Sequence, residues 1–297
     1  MPPLRILPLR MPFRAIPARR PFSTARPLQS QLSYQVFGPE TDNAAGNPVV
    51  FLHGLFGSKQ NNRSISRALA RDLNCQIYTV DLRNHGDSFH SQDHNYTVMA
   101  EDVQEFLQQQ KLSKCVLIGH SMGAKTAMTV ALRSPGQVAG LIPVDNAPVH
   151  APLKTDFSLY VEGMQRVDAA GVTKQSDADQ ILQEYEESLP IRQFLLTNLI
   201  RADDKTLKFR VPLSVLGQSL DAMADFPYRN PGAVSFHGPT LFVRGTRSGY
   251  VSDDFAPAIK QFFPNYRMAD VEAGHWLISE NPEAFRQVAI KFLQDIS

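Results

Sequence analysis

Apolar positions along this chain follow two rhythms that take turns. Short unbroken runs have the length and composition of strands buried on both faces: Val49-Val50-Phe51-Leu52, Gln76-Ile77-Tyr78-Thr79-Val80, Cys115-Val116-Leu117-Ile118 and Ala139-Gly140-Leu141-Ile142-Pro143-Val144. Residues 32–37 read as an edge strand, and residues 240–244 and 266–272 as the last two strands. Between these runs the apolar spacing changes to three and four, as on one face of a helix. Residues 65–73, 95–110 and 124–132 carry that spacing; in the second, the face is Val98, Met99, Val103, Phe106 and Leu107. Asp253 and Asp254 suit the N-cap and first turn of a helix running to Phe263. The final helix starts at Asn281 as cap with Pro282 in its first turn, and Phe285, Val288, Ala289, Phe292, Leu293 and Ile296 form one core-facing stripe. Alternating strands and helices predict an α/β fold, a mostly parallel sheet with helices on both faces, over residues 31–297.

Two tracts break the alternation. Residues 152–232 read as helices at 156–169, 177–188, 191–200 and 213–224, with little strand signal. Inserted between two strands, they are expected to form a helical lid, with Phe157, Tyr160, Met164, Phe194, Leu195 and Phe226 as candidate liners of a pocket beneath it. Residues 1–30 hold Arg5, Arg10, Arg14, Arg19, Arg20 and Arg26, no lysine and no acid; the first carboxylate is Glu40. An arginine-rich, acid-free start reads as a disordered mitochondrial transit peptide, placing the protein in the matrix or at the inner membrane. A basic arm for nucleic acid or membrane is the competing reading, but no matching basic pattern occurs later in the chain.

Composition adds limits. At 297 residues the chain can bury a large core, and its formal charge of +1 indicates no polyanion partner. Without the six early arginines, 24 basic side chains stand against 29 acidic ones, a net charge near −5. Cys75 and Cys115 fall in or beside strands and read as buried free thiols rather than a disulfide. No Cys/His spacing of zinc type appears, and no apolar run is long enough to span a bilayer.

The chemistry is concentrated in Gly119-His120-Ser121-Met122-Gly123, a G-x-S-x-G pattern between an apolar run and a helix former. That strand–turn–helix context is the nucleophile elbow, and it makes Ser121 the candidate nucleophile. A serine hydroxyl needs a base, and the base needs an orienting acid. Of eight histidines, His275 alone stands after the last strand, in the place that the order Ser, acid, His requires. His90 and His94 lie in a polar stretch and read as solvated. The acid often follows the strand before the last, yet the loop Gly245-Thr246-Arg247-Ser248-Gly249-Tyr250-Val251 has Ser248 where a carboxylate is sought. Asp145, at the end of the preceding strand, is therefore the first choice, with Asp253 and Asp254 as competitors. The amides of Leu55 and Met122 are the candidate oxyanion donors. In Asp81-Leu82-Arg83-Asn84-His85-Gly86-Asp87-Ser88, a structural turn with Arg and Asp bonded internally is favoured over a catalytic cluster. Lys125 reads as scaffold rather than base.

Several segments occur together and in order: Phe51-Leu52-His53-Gly54-Leu55-Phe56-Gly57-Ser58-Lys59, the Asp81–Ser88 segment, the elbow with Ala124-Lys125, Asp145-Asn146-Ala147-Pro148, Gln193-Phe194-Leu195-Leu196-Thr197-Asn198-Leu199 and Gly274-His275-Trp276. On these the chain, from about residue 31 onward, resembles the mitochondrial α/β-hydrolases grouped with abhydrolase-domain protein eleven, which include yeast ethanol acetyltransferases and bacterial carboxylesterases. Ala124 stands where several relatives have Gly. The resemblance implies an α/β-hydrolase fold and a Ser121–Asp145–His275 triad. It implies a small-molecule ester or thioester substrate, no metal and no organic cofactor. Three functions are open on this basis: a serine esterase or thioesterase, an alcohol O-acetyltransferase using acetyl-CoA with an alcohol, and a non-catalytic binding protein of the same fold. Nucleic-acid partners are not expected.

Overall fold

The computed structural model describes residues 31–40, 44–153, 157–230 and 232–296. The expected targeting segment, residues 1–30, lies outside the described residues, as does Asp156. In chain order the elements are β1 (Tyr34–Phe37), β2 (Val49–Leu52), α1 (Arg63–Leu73), β3 (Ile77–Val80), α2 (Tyr96–Gln109), β4 (Cys115–His120), α3 (Met122–Arg133) and β5 (Val138–Val144). Then come α4 (Phe157–Ala170), α5 (Gln175–Leu182), α6 (Leu189–Leu196), β6 (Leu199–Arg201), β7 (Leu207–Phe209), α7 (Leu213–Gln218) and α8 (Leu220–Ala224). The chain ends with β8 (Thr240–Gly245), α9 (Ala256–Phe262), β9 (Tyr266–Val271), α10 (Leu277–Glu280) and α11 (Pro282–Asp295).

The seven runs expected as strands pair into one sheet in the order β1-β3-β2-β4-β5-β8-β9. Only β1, at the edge, is antiparallel to its neighbour. Successive strand residues face opposite sides. Val50, Leu52, Leu117 and Leu141 enter one core with α2 and α3, whereas Val49, Phe51, Val116, Ile118 and Ile142 enter another with α1 and α11. Both faces of the central strands therefore need apolar side chains, which explains their unbroken apolar runs. The stripe of α11 packs as expected: Phe285, Ala289, Phe292 and Leu293 are buried, and Val288 and Ile296 lie against the same core. Cys75 and Cys115 are buried and free, and burial pushes their thiols up to about 11 and about 12, so both stay protonated. No helix of the described residues is long and apolar enough to cross a membrane.

Between β5 and β8 the expected helices form with other bounds: the second ends at Leu182 rather than at residue 188, and the fourth divides at Ser219 into α7 and α8. The segment read as a helix to residue 200 stops at Leu196, and β6 and β7 pair as a separate antiparallel hairpin. The alternation Leu207 buried, Lys208 exposed, Phe209 buried carries the strand period, but three residues are too few to register beside the continuous apolar run of α6. A smaller difference concerns the helix before β9. Its cap is Ser252, whose hydroxyl accepts from the Asp254 amide at 3.2 Å, and Asp253 and Asp254 lie in a 3-10 turn that precedes α9.

The end of the insertion is tied to α2 and α3 by polar contacts. Lys125 on α3 donates to the carbonyls of Ala224 at 2.9 Å and Asp225 at 2.8 Å. Its ammonium also sits 5.6 Å from the Tyr96 ring centroid, and the Tyr96 hydroxyl donates to the Met223 carbonyl at 2.8 Å. Burial lowers the Lys125 pKa to about 8. The lysine thus acts as scaffold, holding the end of the insertion to the helix that follows Ser121.

Candidate active site

β4, β5, β8 and β9 are parallel neighbours, so their C-terminal ends lie along one sheet edge. Ser121 follows β4 with φ 53° and ψ −112°, a backbone conformation that costs a non-glycine residue about 1–3 kcal/mol. The sharp turn explains its flanking residues. A Cβ at Gly119 would lie 2.1 Å from the Gly123 carbonyl oxygen, and a Cβ at Gly123 would lie 2.4 Å from the Leu52 and 2.6 Å from the His53 carbonyl oxygens. Those obstacles are backbone and cannot swing away. Gly123→Ala is expected to destabilise the protein by about 3 kcal/mol or more, the upper end of overpacking costs. A denaturation midpoint equal to the parent's would contradict this tight elbow.

The structure brings the three candidate triad residues into one hydrogen-bonded chain. His275 Nε2 is 3.0 Å from Ser121 Oγ, and His275 Nδ1 is 2.7 Å from Asp145 Oδ2. An ionised carboxylate only accepts, so Nδ1 carries the ring proton and Nε2 is left to accept from the serine hydroxyl. Asp145 is completely buried and also has positive φ, 51°. It is held by a bond from the Gly245 amide to Oδ1 at 3.0 Å and one from the Ser248 hydroxyl to Oδ2 at 2.5 Å. Tyr250 stacks on the His275 ring at 4.2 Å between centroids. The competing acids are engaged elsewhere: Asp253 pairs with Arg244 at 2.5 Å with its side chain 89% exposed, and Asp254 bonds Ser252.

Met122 follows Ser121 in the chain, and Gly54, just before Leu55, lies against Ser121: a Cβ at Gly54 would be 3.3 Å from the Ser121 Cβ. Among the described residues no backbone–backbone hydrogen bond uses the Leu55 or Met122 amide. The next amide, Phe56 N–H, donates to His85 Nε2 at 3.1 Å and is not available. Phe56 itself has φ 60°, and its carbonyl accepts from Asn198 Nδ2 at 2.7 Å. On the other side of Leu55 the Gly54 carbonyl accepts from the Gly57 amide at 2.9 Å, so the loop after β2 is held on both sides of Leu55.

A family model described as the alpha/beta hydrolase fold matches residues 47–282. The chain belongs to the α/β-hydrolase family. It is 40% identical to an sn-1-specific diacylglycerol lipase, ABHD11, of Xenopus tropicalis over 89% of this chain and 82% of that one. It is 37% identical to a "Probable alcohol acetyltransferase" of Saccharomyces cerevisiae over 83% of this chain and 77% of that one. A solved marine microorganism esterase superposes with TM-score 0.82 at 30% identity, covering 88% of this chain and 99% of that one.

In this α/β-hydrolase the Asp81–Ser88 segment has a mechanical part. Asp81 bonds within the segment as expected, accepting the Asp87 amide at 2.9 Å, whereas Arg83 pairs with Asp102 on α2 at 2.5 and 2.7 Å, outside it. Asp87 likewise pairs with Lys59 at 2.6 Å and Arg210 at 2.8 Å. The segment's imidazole and amide brace the loop after β2: His85 takes the Phe56 amide, and Leu82 N–H donates to His53 Nε2 at 3.0 Å. Burial lowers the pKa of both rings, which fits neutral acceptors. His94 is buried rather than solvated, with burial taking it down to about 3. It packs 5.6 Å from the His85 ring, a contact that its polar sequence neighbours do not signal. His120, next to Ser121, is neutral by burial with a pKa of about 4, and its Nε2–H donates to the His275 carbonyl at 2.8 Å.

A cleft of about 200 Å³ opens beside His275, lined by Phe157, Tyr160, Ile191, Tyr250 and Trp276 among others. Phe194 lines an adjoining apolar groove with Ile191 and Trp276. Of the candidate liners, Phe157, Tyr160 and Phe194 thus reach clefts, while Met164, Leu195 and Phe226 are buried in the core. Sequence reasoning passed over Ile191, Tyr250 and Trp276 as liners. Trp276 follows the candidate base directly and was the one with a usable signal.

Proposed function

We propose that the protein is a serine hydrolase that cleaves carboxylic esters or thioesters through an acyl-enzyme on Ser121. The observation that carries this reading is the unbroken chain Ser121–His275–Asp145 at 3.0 and 2.7 Å. Ser121 Oγ attacks the substrate carbonyl carbon as its proton passes to His275 Nε2. Asp145 holds the ring and stabilises its charged form. The Leu55 and Met122 amides take the oxyanion, a contribution worth about 10²–10³ in turnover for each donor. The tetrahedral adduct collapses, the C–O or C–S bond breaks, and the leaving alcohol or thiol takes the proton from His275. Water, deprotonated by His275, then attacks the acyl-enzyme and releases the acid. The elements from α4 to α8 serve as the lid that shields this intermediate, and the apolar cleft beside His275 suits an acyl group. An intact hydrogen-bonded triad speaks against a binding protein that has lost catalysis. The arginine-rich, acid-free start of the sequence supports a mitochondrial location.

A second reading is favoured by the acetyltransferase relative: an alcohol replaces water as acceptor, and acetyl-CoA is the donor. Both activities share the first half-reaction, so the acceptor separates them. Incubation with acetyl-CoA and ethanol is expected to release acetate and free CoA in equal amounts. Ethyl acetate as the main product would instead assign the transferase.

A further inference from the structure

The β6–β7 hairpin belongs to the inserted region, yet its base is bonded to the loop after β2. Asn198 immediately precedes β6, and Arg210 immediately follows β7. The Arg210 amide donates to the Asn198 carbonyl at 2.9 Å, and the Arg210 guanidinium pairs with Asp87 at 2.8 Å. Asp87 in turn holds Lys59, in the continuation of the loop after β2, at 2.6 Å. The backbone of Asn198 is thereby fixed, and the residue is buried. Its Nδ2 donates to the Phe56 carbonyl at 2.7 Å and to the Leu195 carbonyl at 3.3 Å, so both protons of the amide are used. Two carbonyls can be met only by the NH₂ end of the side chain, which settles its orientation.

The Phe56 carbonyl is one end of a short mechanical path to Leu55. It shares a peptide with the Gly57 N–H, which donates to the Gly54 carbonyl at 2.9 Å. The Gly54 carbonyl shares a peptide with the Leu55 N–H, the candidate oxyanion donor. A peptide is planar, so holding its carbonyl sets the direction of its N–H. Phe56, inside this turn, has φ 60°, a conformation that a bulky residue keeps only when its surroundings hold it there. Phe56 is completely buried, so no water can replace Asn198 on its carbonyl. Without that bond, rotation of the Phe56–Gly57 peptide relieves the strain, withdraws the Gly57 N–H from Gly54 and turns the Leu55 N–H. His53 Nδ1 still reaches the Gly54 carbonyl at 2.8 Å, so the donor is misdirected rather than lost.

We infer that Asn198 is a positioning residue for the proposed reaction: from the inserted region, it pins the Phe56–Gly57 peptide and so aims the Leu55 N–H at the oxyanion. The loop after β2 is then fully set for catalysis only when the hairpin is seated on it. This inference rests on the reading of Leu55 as an oxyanion donor, and its test is chosen to separate the two.

The measurement is hydrolysis of a 4-nitrophenyl ester and of the matching thionoester, whose C=S sulfur accepts hydrogen bonds weakly, by variants verified as folded by circular dichroism. Asn198→Ala is expected to lower kcat for the ester about ten- to a hundredfold with KM unchanged, less than the loss of a whole oxyanion donor. The thionoester slows far less, because its transition state draws little on the Leu55 N–H. Asn198→Leu, close to asparagine in shape but without a donor, refills the space and reproduces the same pattern. A structural defect alone would slow both substrates alike. Parental kcat in Asn198→Leu, a raised KM with kcat unchanged, or equal slowing of ester and thionoester overturns the inference. A parent that hydrolyses the two substrates in the ratio of their hydrolysis by hydroxide would instead overturn the oxyanion reading. No fluorophosphonate labelling of the parent, or full labelling of Ser121→Ala, would overturn the triad reading.

Discussion

Ser121→Ala is expected to abolish fluorophosphonate labelling and to lower kcat/KM for a simple ester by about 10⁴-fold or more, the scale seen when a triad nucleophile is removed. The reason is local. Ser121 Oγ is the hydroxyl within reach of His275 Nε2, at 3.0 Å, and the elbow conformation that presents it is built around this one position. Ser248, another hydroxyl near the triad, bonds Asp145 on the Nδ1 side of the imidazole rather than the Nε2 side. It cannot take over the attack. The fold should be unaffected, since no side-chain cap bond is made by Ser121 to α3 and alanine relieves no packing. The residual rate is that supplied by the Leu55 and Met122 amides and by substrate binding alone. Labelling that persists in the variant would place the nucleophile elsewhere.

The second large effect is expected at Asp145. Asp145→Asn should lower kcat/KM by about 10³–10⁴-fold with little loss of structure, because volume is conserved. Three donors converge on this carboxylate: Gly245 N–H, the Ser248 hydroxyl and His275 Nδ1–H. An amide has one acceptor oxygen and a donating NH₂ group. If that oxygen stays on Gly245, the NH₂ faces both Ser248 and His275. The imidazole then has reason to carry its proton on Nε2, the tautomer that cannot accept from Ser121. Asp253→Asn and Asp254→Asn provide the contrast. Asp253 is exposed and pairs with Arg244, and Asp254 bonds Ser252, so each variant should keep activity within about twofold, as surface changes away from a site usually do. Steady-state kinetics on the three variants decides the acid. Full activity in Asp145→Asn with a loss in either of the others would move it to the loop after β8.

Much of this architecture was legible from residues read in order. The runs at β2, β4 and β5 were recognisable because both faces of a central parallel strand are buried, leaving no polar position to blur the signal. The elbow was legible because its constraint is local: two glycines whose Cβ atoms would meet backbone within four residues or on the adjoining strand. The acid was reached through the empty place at Ser248, and the structure puts Asp145 against His275. The β6–β7 hairpin escaped notice because each strand is three residues long and the preceding helix is apolar to its end. His94 looked solvated because windows of sequence report chain neighbours, whereas its burial comes from packing against His85 and Asn84.

Local backbone geometry and the identity of the reactive groups were therefore properties of short stretches of the chain. Adjacent residues determine which turn is sterically open, which face of a strand is apolar and which side chain can be a nucleophile. How those groups meet was decided by the tertiary fold alone. Ser121 and His275 are 154 residues apart, and His275 and Asp145 are 130 apart. They touch because the strand order places β4, β5, β8 and β9 side by side in parallel. The same proximity turned Ser248 from a missing acid into a donor that holds the real candidate in place. A hydrogen bond depends on separation in space, and separation along the chain carries no record of it until the sheet is assembled.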